Sequence, residues 1–253
     1  MNTSIRWESF WFKQVPGYRL ACFRVAVAAT TIIFVIPRLD GAIHSYLASS
    51  FHTPMLSWIP PLPAHTERAL ALAEYAAAAC LLLGFLPRLS AGFLAASGLY
   101  IFLLDTRHYS HWGQFHLILL ALLACSKARF SLLRLFQKDK ALPTCEAWPE
   151  HLIRLQLSIL LFYTALDKVF SPYWGTSGMF FTYEFDALTR RIAPSLLSSA
   201  TIGLEFFLAM SFLFRPLWRM AVPLGFLFAA ALQFFIGPIT FAWDFMAVLI
   251  LFL

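Results

Sequence analysis

Charge is what this sequence has least of. Only 13% of its 253 residues are Asp, Glu, Lys or Arg, against roughly a quarter in a soluble globular domain. That shortage excludes an ordinary water-soluble fold. Cysteine is scarce too. The four cysteines form no Cys-x-x-Cys pair, which excludes the usual zinc-ribbon and thioredoxin-like spacings. Cys22, Cys125 and Cys145 fall at or near the expected inner side and Cys80 inside an apolar run, so no disulfide is expected. There is no Walker A pattern, no glycine-rich dinucleotide fingerprint and no His-Glu-x-x-His, so three common nucleotide and metal chemistries have no signature. The opening "MNTSIRWESFWFKQVPGYR" is too polar and aromatic for a cleavable signal peptide and lacks a small-residue cleavage site.

What is present is apolar length. The chain is 60% hydrophobic and 17% aromatic, with a mean hydropathy of +0.72. Runs close to the ~20 residues that cross a bilayer recur throughout, separated by short polar breaks. In lipid each backbone group must be paired within the protein, so such runs fold as helices. A membrane barrel would show alternating segments, and "LALAEYAAAACLLLGFL" does not alternate. The expectation is an all-α, polytopic transmembrane helical bundle of about eight spans with short loops. They run Tyr18–Pro37, Thr66–Leu86, Leu89–Leu104, His111–Cys125, Glu150–Phe170, Ala193–Phe214, Arg219–Phe235 and Pro238–Leu253, within one domain over residues 1–253. Residues 5–12, with Trp7, Phe10 and Trp11, predict a short helix lying in the interface.

With the N-terminus inside, thirteen of the 19 Lys and Arg residues fall on the cytoplasmic side. That bias predicts both termini in the cytoplasm, and a bacterial inner membrane. It makes 126–149 a basic inner loop. The net charge of +6 is then loop asymmetry and calls for no nucleic acid.

Ionisable groups inside spans are costly and usually face a cavity or a partner. Here they gather toward one side. Glu74 and Asp244 lie about two turns into their spans, His116 about one turn, and Asp167 and Lys168 close the fifth span. Glu205 falls near the middle of the sixth. The expectation is a polar cavity opening outward, lined by Glu74, His116, Lys168 and Asp244. His108, His111 and His116 do not share one compact helical face, so no metal site is assigned. Gln156, Tyr163 and Asp167 fall on one face of the fifth span, with Lys168 and Thr164 beside it. Lysine withdrawn from water gives up its proton more readily, and one so placed can act as a base. Trp174 reads as an interfacial anchor in the loop that follows.

One stretch carries a resemblance. "RLQLSILLFYTALDKVFSPYWGTSGMFF" resembles the signature of the vitamin K-dependent gamma-carboxylase superfamily, the horizontally transferred transmembrane domain. There a glutamine-bearing helix runs into a lysine and then a Trp-Gly turn. "LACFRVAVAATTIIFVIPRL", "HWGQFHLILLALLACSKARFSLLRL" and "FFLAMSFLFRPLWRMAVPLGF" resemble further helices of that family in the same order. The resemblance implies that Lys168 is the catalytic base, deprotonating a hydroquinone. His116 and Asp167 would assist. Glu74, His111, Tyr163, Trp174 and Asp244 would line the cofactor site.

The departures shape the expectation. The family's Asn-His motif is absent, and only His111 or His116 stands near its place. Residues 221–253 contain neither His nor Asn, so the later His-x-x-Asn has no counterpart. The large lumenal domain that binds carboxylase substrates is not expected. Protein glutamate carboxylation is therefore not the expected activity. The leading reading is an oxidoreductase- or carboxylase-like membrane protein acting on a quinone-like or lipid substrate. One alternative is a non-catalytic membrane subunit that supports maturation, export or immunity of a partner protein. Another is a DoxX-like quinol-associated subunit.

Overall fold

The computed structural model describes residues 3–49, 52–126, 144–171, 194–236 and 240–253. The chain divides into two compact units, Met1–Glu150 and His151–Leu253. The first holds α1 (Thr3–Trp11), β1 (Gln14–Pro16), α2 (Tyr18–Ala48), α3 (Glu67–Leu83), α4 (Pro87–Leu104), α5 (His111–Cys125) and β2 (Thr144–Glu146). At its end begins α6 (Trp148–Phe170), which continues into the second unit with α7 (Pro194–Leu213), α8 (Trp218–Ile236) and α9 (Thr240–Leu249).

Every expected span coincides with a helix, but they are not equal. Among the described residues, three are long and apolar enough to cross a membrane, Tyr18–Ala48, Pro87–Leu104 and Arg215–Phe234, so the expected count of about eight spans is not established. Segments His111–Cys125, Ser199–Leu213 and Thr240–Phe252 are apolar but shorter. Large apolar side chains face outward, among them Leu72 at 72% and Leu227 at 67% exposure. In water such surface would drive association. In lipid it is the ordinary outer face of a span. The expected interfacial helix is α1, where Trp7 and Phe10 pack edge-on against Trp11 at 5.6 and 5.4 Å.

Pro37 does not end the first helix as expected. A proline inside an α-helix clashes with the carbonyl four residues back. The chain widens into one π-turn at Thr31–Val35 just before it, which makes room for the ring, and the helix continues to Ala48. Two strands of three residues were also not expected. β1 and β2 pair antiparallel with Val15 opposite Cys145, and Ala147 N–H reaches Lys13 O at 3.0 Å. Strands this short leave no readable alternation in a sequence. The pairing buries Cys145. That burial, with the charges of Glu150 and Glu146, pushes its thiol up to about 11, so it is inert at neutral pH. The four cysteines are free thiols.

The turn between α3 and α4 is built around an arginine. Gly84 ends α3 at φ +78°, and Phe85 N–H closes back on Cys80 O at 2.8 Å, a glycine-dependent helix stop. Leu86 follows at φ +45°, and Pro87 starts the next helix. Arg24 of α2 is fully buried, with its guanidinium directly under this turn. A Cβ on Gly84 would lie 2.5 Å from Arg24 Nη1 and 2.9 Å from Nη2.

In the second unit, Phe212 of α7 and Phe228 of α8 meet Phe245 of α9 edge-on at 6.1 and 6.0 Å. Arg154 of α6 lies over Trp218 at 4.7 Å and Phe252 at 5.1 Å. It also donates to Leu251 O. A cation at the carbonyl end of a helix, stacked on rings, suits its buried place.

Gly84→Ala should lower the melting temperature of the detergent-solubilised protein. The left-handed backbone alone costs about 1–2 kcal/mol for a residue with a Cβ, before Arg24 is displaced. Gly92→Ala is the control, because its new methyl would sit 3.7 Å from Ala124. Equal melting of the two variants would refute the account.

Candidate functional site

The first unit carries a polar core. The π-turn brings Thr31 of α2 to His116 of α5, with Oγ1 and Nε2 3.0 Å apart. Thr31 also donates to Val27 O at 2.8 Å. A hydroxyl has one proton, so in this pair His116 donates its Nε2–H to Thr31 Oγ1. π-turns recur at functional sites, and here the turn aims a hydroxyl that a regular helix would place differently. Glu74 of α3 is 1% exposed and lies beside Ser97 of α4. Its Oε1 is buried without a hydrogen-bond partner. Buried polar atoms are rarely left so.

The second unit carries an ion pair. Lys168 Nζ of α6 donates to Glu205 Oε1 of α7, and the two side chains are only 12% and 5% exposed. Thr164, one turn before Lys168, stands beside the same carboxyl. The second oxygen, Glu205 Oε2, is buried without a partner. Phe162 against Phe206 at 5.5 Å packs α6 on α7. An ammonium and a carboxylate removed together from water are neutral as a pair. A proton can pass between them, or to a third group at the open oxygen, with no new net charge in the apolar layer.

A third polar cluster forms the turn between α4 and α5. Asp105 is fully buried. It accepts from Arg107 Nε at 2.8 Å and Nη2 at 2.5 Å, from Arg107 N at 3.0 Å, and from Thr53 Oγ1 at 2.9 Å. The Arg107 guanidinium holds its carboxyl well below the usual carboxylate range. Burial lowers the pKa of His108 next to it, with smaller opposing effects of Asp105 and Arg107.

The expected site residues are thus distributed. Glu74 and His116 are buried in the first unit, and Asp244 in the second. His111 is exposed at the start of α5, edge-on to Tyr109 at 5.4 Å. Asp167 is exposed and does not partner Lys168. Consecutive helical residues point about 100° apart, so turning Lys168 toward α7 turns Asp167 away. Tyr163 is 63% exposed. Trp174 lies outside the described residues. The partner that was not anticipated is Glu205. It is the only acid in α7, and a buried lysine needs a counter-charge. That requirement was a usable signal. Apparent depth masked it, because Glu205 reads as mid-span and Lys168 as terminal. Among the described residues, no three His, Cys, Asp or Glu side chains are grouped as a metal would require.

The family model of the HTTM domain matches residues 12–253. The chain belongs to the HTTM domain family. It is therefore an integral membrane domain related to that of vitamin K-dependent carboxylases. No curated protein and no solved structure matches the chain. Within this HTTM domain, Lys168 is the residue that the resemblance marks as the base, and it is the one held against Glu205.

Asp105 should set part of the acid stability. Its folded pKa is depressed, so its contribution is complete above the unfolded value near 4 and is lost as the pH falls toward the depressed folded value. The melting gap between wild type and Asp105→Asn should stay constant from about pH 8 to 5 and narrow below about pH 4. A gap independent of pH would contradict this.

Proposed function

We propose that this HTTM domain binds a quinone-like or lipid substrate in the membrane and removes a proton from it at the Lys168–Glu205 pair. The observation that carries the reading is a lysine and a glutamate joined out of water, with one carboxylate oxygen left open. In the neutral form of the pair, Glu205 holds the shared proton and Lys168 is a free amine. The amine takes the proton of an acidic substrate O–H, such as that of a hydroquinone. The resulting oxyanion is left beside the new ammonium, which stabilises it. Glu205 thus shares the role expected of Lys168 alone. Buried Asp244, in the same unit as the pair, orients polar parts of the substrate or relays protons, and Glu74 and His116 relay protons within the first unit. Tyr163, exposed on α6, is assigned to the apolar and aromatic approach.

The same reading places the chain in a bacterial inner membrane with both termini cytoplasmic. Two observations support it. The Lys and Arg bias favours that orientation. The β1–β2 pairing holds residues 14–16 and 144–146 together, as a shared membrane face requires.

The test uses the full chain in nanodiscs without oxygen, with added naphthohydroquinone. Wild type should show the absorption of the bound phenolate. Lys168→Ala and Glu205→Gln should lose it. Lys168→Arg should still bind but give no phenolate, because arginine keeps its proton. Unchanged spectra in all three variants would overturn the assignment. Purification with ordinary phospholipid, no quinone and a firmly attached second protein would favour the non-catalytic subunit instead.

A further inference from the structure

A cleft of about 210 Å³ opens in the first unit between the later part of α2 and the turn after α4. Arg38, Phe102, Arg107, His108 and Tyr109 line it. Its place along the membrane follows from helix length. At 1.5 Å per residue, Arg38 lies roughly 30 Å along α2 from Tyr18, about the hydrocarbon thickness of a bilayer. With Tyr18 at the inner boundary, as in the orientation proposed above, the cleft sits where the apolar layer gives way to headgroups. α2 continues past it to Ala48, and the turn joins two apolar helices.

The charges in the cleft are uneven. Arg107 is balanced by Asp105 beneath it, at 2.5 Å. Asp40 is close enough to influence Glu74 on α3 and does not line the cleft. Arg38 makes no ion pair or hydrogen bond among the described residues, so the net charge is positive. His108 Nε2 is buried without a hydrogen-bond partner, although the ring borders the cleft. Tyr109 O–H is already committed to Gln114 Oε1 at 2.5 Å. A surface arginine alone would simply be hydrated. An unsatisfied ring nitrogen on the cleft wall, closed to water in this structure, gains a partner when its ring turns toward a ligand atom in the cleft. A cationic fork and a single N–H donor suit an oxyanion, and arginine forks match phosphate geometry. The volume is about seven times a water's ~30 Å³ share of the liquid, which holds a phosphate group with one of its substituents.

We propose that this cleft binds a phosphate group, with Arg38 as the charged ligand and His108 Nε2–H as the second donor. The group is supplied either by a phospholipid headgroup or by free phosphate. The cleft shares no residue with the Lys168–Glu205 pair and does not depend on the reading of that pair.

Two measurements on the full chain test it. The first titrates inorganic phosphate against melting temperature in a phosphate-free glycoside detergent, with chloride at equal ionic strength as control. The second counts phospholipids retained in native mass spectrometry after reconstitution with phosphatidylglycerol. Arg38→Gln and His108→Ala should each weaken binding about tenfold, the scale of one hydrogen bond to a charged group. Arg38→Lys should weaken it less. Gly41→Leu should block the cleft without harming the fold, because nothing lies within 4 Å of where its Cβ would be. Retained phospholipid with no response to free phosphate assigns a headgroup. A response to phosphate without retained lipid assigns the free anion. Wild type that responds in neither assay overturns the proposal. So does binding that survives unchanged in both Arg38→Gln and Gly41→Leu.

Discussion

Withdrawing polar groups from water without leaving them unpaired is the constraint that organises this chain. Several costly groups are set against neighbours that offset them. Arg154 lies on two aromatic rings and a helix-terminal carbonyl. Asp105 is enclosed by Arg107 and Thr53. His116 meets a threonine that a π-turn delivers. Lys168 meets Glu205. Removing one partner of such a pair costs more than the pair itself contributes, because the remaining charge is stranded. The polar residues therefore specify how helices of nearly uniform apolar surface fit together.

The exceptions to that pairing carry the functional argument. Glu74 Oε1, Glu205 Oε2 and His108 Nε2 are buried without partners. Open positions of this kind, beside a charged or hydroxyl-bearing neighbour, suit a ligand or a mobile proton. They fall in three different surroundings. Glu205 belongs to an ion pair, Glu74 lies beside the Ser97 hydroxyl, and His108 borders a cationic cleft. The open oxygen beside Lys168 suits proton transfer. The open nitrogen beside Arg38 suits an anion.

Backbone irregularities serve the same end. Pro37 forces a wider turn, and that turn presents Thr31 to His116. Gly84 alone has the backbone freedom and the lack of a side chain that let Arg24 lie under a helix stop. Neither feature follows from hydropathy, which treats Pro37 as the end of a span and carries the next span past Gly84 to Leu86. Asp167 shows the same limit at one residue's scale. Beside Lys168 in sequence it looks like part of the site, but helix rotation turns it outward.

The sequence by itself determined the helical membrane class and the positions of the helices. It also determined the lysine worth attention and the family resemblance. These follow from composition, run length and local motif, which need no knowledge of neighbours. Tertiary structure decided which polar groups meet. It selected Glu205 rather than Asp167 for Lys168, carried α2 through Pro37, paired residues 14–16 with 144–146, and formed the Arg38–His108 cleft. The physical reason is that a hydrogen bond or ion pair depends on distances of about 3 Å. Residues far apart in sequence reach that distance only when helices pack in one particular rotation and depth, and no local pattern records either.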